Sequence, residues 1–495
     1  MPDFAPTPEQ QNAVELFRSG QSLAIEAGAG TGKTSTLMLL ADAMAPGQRG
    51  QYVAFNKAIV VEAGAKFPKH VACNTAHSLA FRSVGREFAH RLKGGRMRSE
   101  EIARRLGLDA LTVQFMGETK RLAPGFLAGH VMRAISHFCN SADLEPAERH
   151  FEYIEGIDQP DADGERTWSN NREVRRALLP AMRKAWVDLQ SPTGELPYSH
   201  GCYLKAWHLS GPEIPADVIF ADESQDLNPV LCAIIAAQAD RPNPPQIVYV
   251  GDSQQQIYEF TGAVNALASV QADLRAFLTQ SFRFGPAVAE AANAVLARIP
   301  GAELRLAGFS KISSSVGPVD EPRAILCRTN AKAVQTVLSA QREGRRVHLV
   351  GGGGEVAAFA RAALDLRSKG WTGYAELACF SSWGEVQDYV ENDPQGSDLK
   401  LLVGLVDEFG PEQIIASLDR MIPERDASLI VSTAHKSKGR EWESVQLADD
   451  FAEPKDGGEL SDGELRLLYV AVTRAQLRLD VSLASAFAAP AQAAS

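Results

Sequence analysis

The segment Ala27-Gly-Ala-Gly-Thr-Gly-Lys-Thr34 constrains this chain more than any other, because of what flanks it. It follows the short apolar run Ser22-Leu-Ala-Ile-Glu-Ala and precedes helix-compatible apolar spacing from Thr34 to Ala45. Strand, glycine loop and helix in that order predict a parallel α/β layer. The glycines let the backbone N–H groups of Gly28, Ala29, Gly30, Thr31 and Gly32 wrap a polyphosphate at a helix N-terminus. Lys33 can reach the β and γ phosphates, and the Thr34 hydroxyl can bind Mg²⁺, so ATP and Mg²⁺ are the expected cofactors. The strict pattern G-x-x-x-x-G-K-[ST] asks for glycine at position 27, where alanine stands.

A second constellation lies further along. Asp222-Glu-Ser-Gln-Asp226 directly follows the apolar run Val218-Ile-Phe-Ala. An acid at the C-terminal end of a strand can hold Mg²⁺ while the adjacent carboxylate polarises an attacking water, which assigns Asp222 to the metal and Glu223 to the base. In isolation such an acidic turn reads as a solvated loop; the phosphate loop reverses that.

Further buried-strand signals stand at Tyr52-Val-Ala-Phe, Gln246-Ile-Val-Tyr-Val-Gly-Asp, Ala324-Ile-Leu-Cys, Val347-His-Leu-Val and Leu429-Ile-Val-Ser-Thr. Strands alternating with helical segments predict parallel α/β layers. The length, 495 residues, suggests about three domains at roughly 150 residues each. Two tracts, about 84–198 and 351–427, read as mainly helical insertions into two α/β cores. The segment 484–495 is alanine-rich and reads as a flexible tail.

Fifty basic against 61 acidic residues give a net charge of −11, which argues against nonspecific coating of nucleic acid. Any nucleic-acid track must be local. From Arg82 to Arg105 there are eight Arg/Lys against three Glu, whereas Glu385 to Asp426 holds eleven acids against three bases. Either run can also be simply a solvated helix face. No apolar run is long enough to span a bilayer, and the start shows no basic segment followed by an apolar one, so a cytoplasmic, nucleoid-associated protein is expected, with no membrane partner. Six cysteines at least 30 residues apart lack metal-ligand spacing and read as reduced core thiols.

With those sites placed, the ordered segments resemble the UvrD/Rep-type superfamily 1A DNA helicases, and most closely the helicase portion of F-box DNA helicases. The segments are Thr7-Pro-Glu-Gln-Gln-Asn-Ala-Val14, the phosphate loop, Phe55-Asn-Lys57, Thr75-Ala-His-Ser-Leu-Ala80, Asp222 to Asp226, Val250-Gly-Asp-Ser-Gln-Gln-Gln-Ile-Tyr258, Gln280-Ser-Phe-Arg283, Thr433-Ala-His-Lys-Ser-Lys-Gly-Arg-Glu-Trp442 and Leu468-Tyr-Val-Ala-Val-Thr-Arg-Ala475. The stretch Gln255 to Leu267 points to the F-box branch. No F-box-like segment is expected before the first motif at Thr7.

The resemblance implies two RecA-like P-loop cores with ATP sandwiched between them, each carrying an inserted helical subdomain. It divides the chain into core 1A at 1–84 and 199–282, insertion 1B at 85–198, core 2A at 283–350 and 428–483, a short acidic insertion 2B at 351–427, and the tail. Residue by residue, Gln10 looks like the adenine-reading glutamine, Phe282 like an aromatic stacking on the base, and Glu441 lies near the ribose. Gln255 resembles the γ-phosphate sensor, and Arg283 and Arg474 the two arginines that reach the γ phosphate. The same resemblance puts single-stranded DNA near Asn56, Thr75, His77, Tyr258, Phe260, Thr433 and His435. Three positions depart from the family: Thr261 and Ser35 stand in place of arginines, and Ala54 in place of an aromatic.

The function implied is an ATP-dependent 3′→5′ helicase or translocase on single-stranded DNA and its junctions with duplex, in repair or recombination control. Two alternatives stay open. One is a translocase that strips proteins from single-stranded DNA without processive unwinding; the other is a nucleotide-gated interaction protein that docks a partner through its acidic insertion.

Overall fold

Two six-stranded parallel sheets dominate the structure, and strands such as Gly50–Ala54, Val218–Ala221 and Leu429–Thr433 follow from runs of residues buried on both faces. The computed structural model describes the chain apart from residues 1–4, 55–56, 95–96, 116–117, 155–156, 159–166, 258–266, 268–271, 375–376, 378–379, 393–398, 455–457 and 488–495, and apart from the side chains at 58, 115, 118, 389 and 392. The chain divides into two units, residues 1–26 with 33–277, and residues 27–32 with 278–495.

In the first unit the strands are β1 (Leu23–Ala27), β2 (Gly50–Ala54), β3 (Val71–Thr75), the pair β4 (Leu111–Phe115) and β5 (Glu118–Leu122), then β6 (Val218–Ala221), β7 (Gln246–Gly251) and β8 (Leu274–Leu278). The sheet order is β3-β2-β6-β7-β1-β8. Parallel registers pair Glu26 with Gly251 across β1 and β7, and Tyr52 with Phe220 across β2 and β6. All residues of β2 and β6 are buried, as central strands of a doubly covered sheet require. The first helix, Pro8–Phe17, starts at a capping box in which the Thr7 hydroxyl accepts from Gln10 N, while Gln10 Oε1 accepts from Thr7 N at 3.0 Å.

Between β3 and β6 the chain leaves the sheet. Helices Ser99–Leu106, Pro124–Asn140 and Ser169–Gln190 bury Ile102, Leu127, Val131, Phe138, Leu178 and Trp186 in one apolar cluster of their own. The expectation of a mainly helical insertion meets one difference, the antiparallel hairpin β4–β5. Its strands alternate too many polar residues to announce themselves as apolar runs.

The second unit holds β9 (Ser315–Val316), β10 (Ala324–Cys327), β11 (Val347–Leu349), β12 (Leu429–Thr433), β13 (Trp442–Leu447) and β14 (Ala475–Asp480), in the order β11-β12-β10-β13-β14-β9. Residues 351–427 form helices including Gly354–Lys369, Trp383–Asn392 and Lys400–Phe409. Their side chains Phe359, Trp383, Val403 and Phe409 share one apolar cluster with Val347 and Leu349 of β11 and Leu429 and Val431 of β12. The second tract therefore has no core separate from its sheet.

The flexible-tail expectation needs correction over its first residues. Ser485–Phe487 form a helical turn with Ala486 buried, and Ala486 N donates to Phe451 O at 3.1 Å while its carbonyl accepts from Arg298 at 2.5 Å. Cys139, Cys202 and Cys327 are buried free thiols, Cys73 and Cys232 are half-buried and free, and Cys379 lies outside the described residues. No helix among the described residues is long and apolar enough to cross a membrane.

Candidate nucleotide site and nucleic-acid interface

The phosphate loop forms as the glycine pattern dictates. Gly30 (φ 74°) and Gly32 (φ 79°) occupy the left-handed region, which side chains disfavour. A Cβ at Gly30 would also lie 2.5 Å from Arg283 Cβ. Ala27, the departure from the strict pattern, is the buried last residue of β1, where extended backbone accepts alanine. Around the loop, Gly28 N donates to Leu278 O at 3.1 Å, Phe282 N to Gly30 O at 2.8 Å, Ser281 Oγ to Ala29 O at 2.9 Å, and Ala29 N to the Tyr469 hydroxyl at 3.4 Å. Lys33 and Thr34 open the helix Lys33–Asp42 and are half-buried.

In the first unit the carboxylates lie at the C-terminal ends of β6 and β7. Asp222 is buried and accepts from the Tyr52 hydroxyl at 2.5 Å and from Glu223 N at 2.9 Å. Burial first, then the neighbouring Glu223 carboxylate, hold the Asp222 carboxyl above its usual range, while Lys33 acts the other way. Glu223 has φ 51°, a left-handed conformation that costs a non-glycine residue about 1–3 kcal/mol. Such strain persists where surrounding structure over-determines it. Gln225 Nε2 donates to Glu223 Oε2 at 2.6 Å, and Gln225 Oε1 accepts from Asp252 N at 3.1 Å. Asp252 in turn accepts from Gln255 Nε2 at 2.6 Å. The acid pair and the sensor glutamine of the sequence analysis thus belong to one hydrogen-bonded network.

Mg²⁺ favours hard oxygen donors, with one or two carboxylates completed by phosphates and water. The Thr34 hydroxyl and the Asp222 carboxylate fit that chemistry. Among the described residues no group of three or more His, Cys, Asp or Glu side chains is arranged to hold a metal by itself.

Gln10 is buried, and its Nε2 donates to Thr36 Oγ1 at 3.1 Å. In the second unit Arg283 Nε donates to Glu441 Oε2 at 2.5 Å and its NH1 to Thr473 O at 3.2 Å. Arg474 is 1 % exposed; its Nε donates to Val470 O at 2.8 Å and its NH2 to Thr473 Oγ1 at 2.9 Å. Arg283, Glu441 and Arg474 therefore meet around Thr473. The Phe282 ring makes an edge contact with Phe309 at 5.4 Å.

The residues expected to follow DNA fall into two matching pieces. Thr75 ends β3 and caps the helix Ala76–Ser83 by accepting from Ser78 N at 3.1 Å; Thr433 ends β12 and caps Ala434–Ser437 by accepting from Lys436 N at 3.3 Å. His77 and His435 follow two residues later in each case. The His77 Nδ1 is buried without a hydrogen-bond partner, and burial, then His200, push its pKa down. Burial, then Arg328, do the same to His435. Thr433 also lines a cavity of about 270 Å³ with Asn330, Gly351, Gly352, Gly353 and Lys436. Asn56, Tyr258, Phe260 and the departure Thr261 lie outside the described residues.

Sequence reasoning missed four site residues: Glu26, Tyr52, Gln225 and Asp252. A carboxylate inside the otherwise apolar run of β1 was the available signal for Glu26. Burial, then repulsion from Asp252, push the Glu26 carboxyl up to about 7. Nothing in the local sequence marks the Tyr52 hydroxyl, because its partner is 170 residues away.

Two family models match the chain: an AAA domain over residues 10–261 and a UvrD-like helicase C-terminal domain over residues 428–481. The chain is 30 % identical to F-box DNA helicase 1 of Gallus gallus over 516 residues, covering 95 % of this chain and 48 % of the relative. It is also 30 % identical to F-box DNA helicase protein 1 of Schizosaccharomyces pombe over 528 residues, covering 96 % of this chain and 57 % of the relative. The chain thus spans about half the length of the curated relatives it matches.

Proposed function

Since the chain belongs to the UvrD-like superfamily 1 helicases, we propose that it is an ATP-driven motor that moves 3′→5′ on single-stranded DNA and opens duplex at junctions. The observation that carries this reading is the network in the first unit: a phosphate-loop lysine electrostatically facing a buried carboxylate, with the adjacent acid held in a strained conformation and tied through Gln225 and Asp252 to Gln255.

Each residue has a task in that chemistry. The backbone N–H groups of Gly28 to Gly32 are assigned to the phosphates, those of Gly28, Ala29 and Thr31 on exchanging their present acceptors Leu278 O, the Tyr469 hydroxyl and Gly28 O, and Lys33 supplies positive charge at the β and γ positions. Glu223 accepts a proton from the attacking water, and Gln255 senses the γ phosphate through its amide. Thr34 and Asp222 would hold Mg²⁺, which when bound neutralises charge on the phosphate oxygens. Arg283 and Arg474 are assigned to the charge spreading over the transferred phosphoryl group, a role in which each exchanges present partners, Glu441 and Thr473 O for Arg283 and Val470 O and Thr473 Oγ1 for Arg474. Gln10, Phe282 and Glu441 are assigned to the nucleoside. Thr75, His77, Thr433 and His435, with Asn56, Tyr258 and Phe260, are assigned to the DNA. The four-part division into two cores and two insertions is part of the same reading, as is a role in repair or recombination control at the nucleoid.

The test is ATP hydrolysis with and without single-stranded DNA, followed by strand separation on substrates with a 3′ or a 5′ tail. Stimulation by single strands and opening of the 3′-tailed substrate alone support the proposal; hydrolysis indifferent to DNA overturns it. Hydrolysis and filament removal without strand separation would favour a protein-stripping translocase. The acidic run Glu385–Asp426 favours, as a second element, a basic protein partner docking on 351–427.

A further inference from the structure

We propose that Glu26 is a positioning residue for ATP hydrolysis, clamping Ser253 so that the turn Ser253–Gln255 presents the Gln255 amide in a fixed place. The proposal rests on the assignment of Gln255 and Glu223 to the reaction made above.

The geometry is specific. Glu26 pairs with Gly251 across β1 and β7, so its side chain reaches the residues where β7 turns into Ser253–Gln255. Both carboxylate oxygens are used: Oε1 accepts from Ser253 N at 2.7 Å and Oε2 from Ser253 Oγ at 2.8 Å. One residue beyond Glu26, β1 ends at the phosphate loop. One residue before Ser253, Asp252 accepts from Gln254 N at 3.1 Å and from Gln255 Nε2 at 2.6 Å. A two-point tie on Ser253 therefore fixes the turn whose last residue is the sensor.

The chemistry argues that this tie is not a packing accident. Interior strands of parallel sheets read as apolar runs, and burying a carboxylate is unfavourable unless hydrogen bonds compensate it. Here the unfavourable part is visible, because burial and the Asp252 carboxylate both oppose ionisation of Glu26 while Lys33 favours it. An apolar residue at position 26 would complete the sheet at lower cost. What it could not do is connect the strand leading into the phosphate loop with the turn bearing Gln255. Through Asp252 and Gln225 the same network continues to Glu223. Glu26 thereby joins the two residues assigned to the water and the γ phosphate.

The experiment compares the full chain with its Glu26→Ala, Glu26→Gln and Ser253→Ala variants and the Glu26→Ala/Ser253→Ala double variant. The readouts are kcat and KM for ATP with single-stranded DNA, and binding of a fluorescent ATP analogue. Glutamine keeps the shape and one acceptor, and Ser253 Oγ can turn to accept from its amide. Expected are a fall in kcat of about ten- to a hundred-fold in Glu26→Ala with KM and analogue binding held within about two-fold. Glu26→Gln returns most of that loss, and the double variant falls no further than Glu26→Ala alone. A Glu26→Ala kcat equal to wild type, or a loss that Glu26→Gln does not restore, overturns the positioning role. If wild type binds the analogue but hydrolyses nothing with or without DNA, the motor reading itself fails and this role fails with it.

Discussion

At the scale of single residues, Lys33 carries the sharpest expectation. Lys33→Ala removes the only phosphate-loop cation and should lower ATP turnover by at least about a hundred-fold in a steady-state assay. Turnover near wild type would remove the loop from the chemistry. Glu26 makes a second expectation, about pH. Its carboxyl is raised from 4.5 to about 7 in the folded chain, so the folded state holds a proton that the unfolded state releases. A group raised in this way contributes stability that is fully present below about 4.5 and is lost as pH rises through about 7. Glu26→Gln has no such proton to lose. Unfolding free energies from urea titrations at pH 4.5 to 8 should therefore shift in favour of the variant as pH rises, by about 3 kcal/mol in total. A constant difference would show that Glu26 ionises normally. Lys33, Asp222 and Glu223 were legible from the strand, loop and acid pattern alone. Glu26 and Tyr52 were not, because each acts through a partner that only the sheet brings near.

At the scale of elements, the chain repeats one device: a parallel strand ends in a threonine that caps a short helix carrying a histidine two residues on. Thr75 does this in the first unit and Thr433 in the second. Replacing a capping threonine by alanine costs about 1 kcal/mol, whereas serine retains the accepting oxygen. Thr75→Ala should lower the urea midpoint accordingly and Thr75→Ser should leave it almost unchanged; equal loss in both would mean the methyl group, not the cap, matters. The strands that sequence patterns revealed, β1, β2, β6, β7, β10, β11 and β12, are mostly buried runs. Those that escaped notice mix exposure along their length. In β3 only Val71 is fully buried, and in β14 Gln476, Leu477 and Arg478 are partly or wholly exposed. In the first sheet the patterns reveal the four inner strands and miss the edges β3 and β8, whereas in the second they reveal the edge strand β11 and miss the inner strands β13 and β14, whose exposed residues interrupt the apolar run. The motif residues of β12 and of the segment before β14 were found by resemblance instead.

At the scale of the whole molecule, the two long tracts between the sheet strands are built differently, and this has a measurable consequence. The tract 85–198 packs Ile102, Phe138, Leu178 and Trp186 among themselves and with neighbours such as Cys202. The tract 351–427 packs into the cluster that also contains Val347, Leu349, Leu429 and Val431 of the second sheet. Burying one large apolar side chain contributes roughly 1.5–3 kcal/mol, and a domain as a whole is stable by only about 5–15 kcal/mol. Phe359, Trp383, Val403, Val406, Phe409 and Ile414 all lie within the second tract and are at most 6 % exposed. Removing all six would cost about 9–18 kcal/mol, comparable to the whole margin of the unit. A chain in which 351–427 is replaced by a short glycine-serine linker should therefore lose the cooperative unfolding transition of residues 278–495, seen by hydrogen exchange across β10 to β12. The corresponding replacement of 85–198 should leave exchange in β1, β6 and β7 slow, because Leu23, Phe220 and Val248 of those strands are buried and lie outside the apolar cluster of that tract. If the first replacement leaves β10 to β12 protected, the tract is a separable subdomain, as the sequence alone suggests. Loss of protection would mean that the acidic tract 351–427 is an integral part of the fold that holds the sheet bearing Thr433.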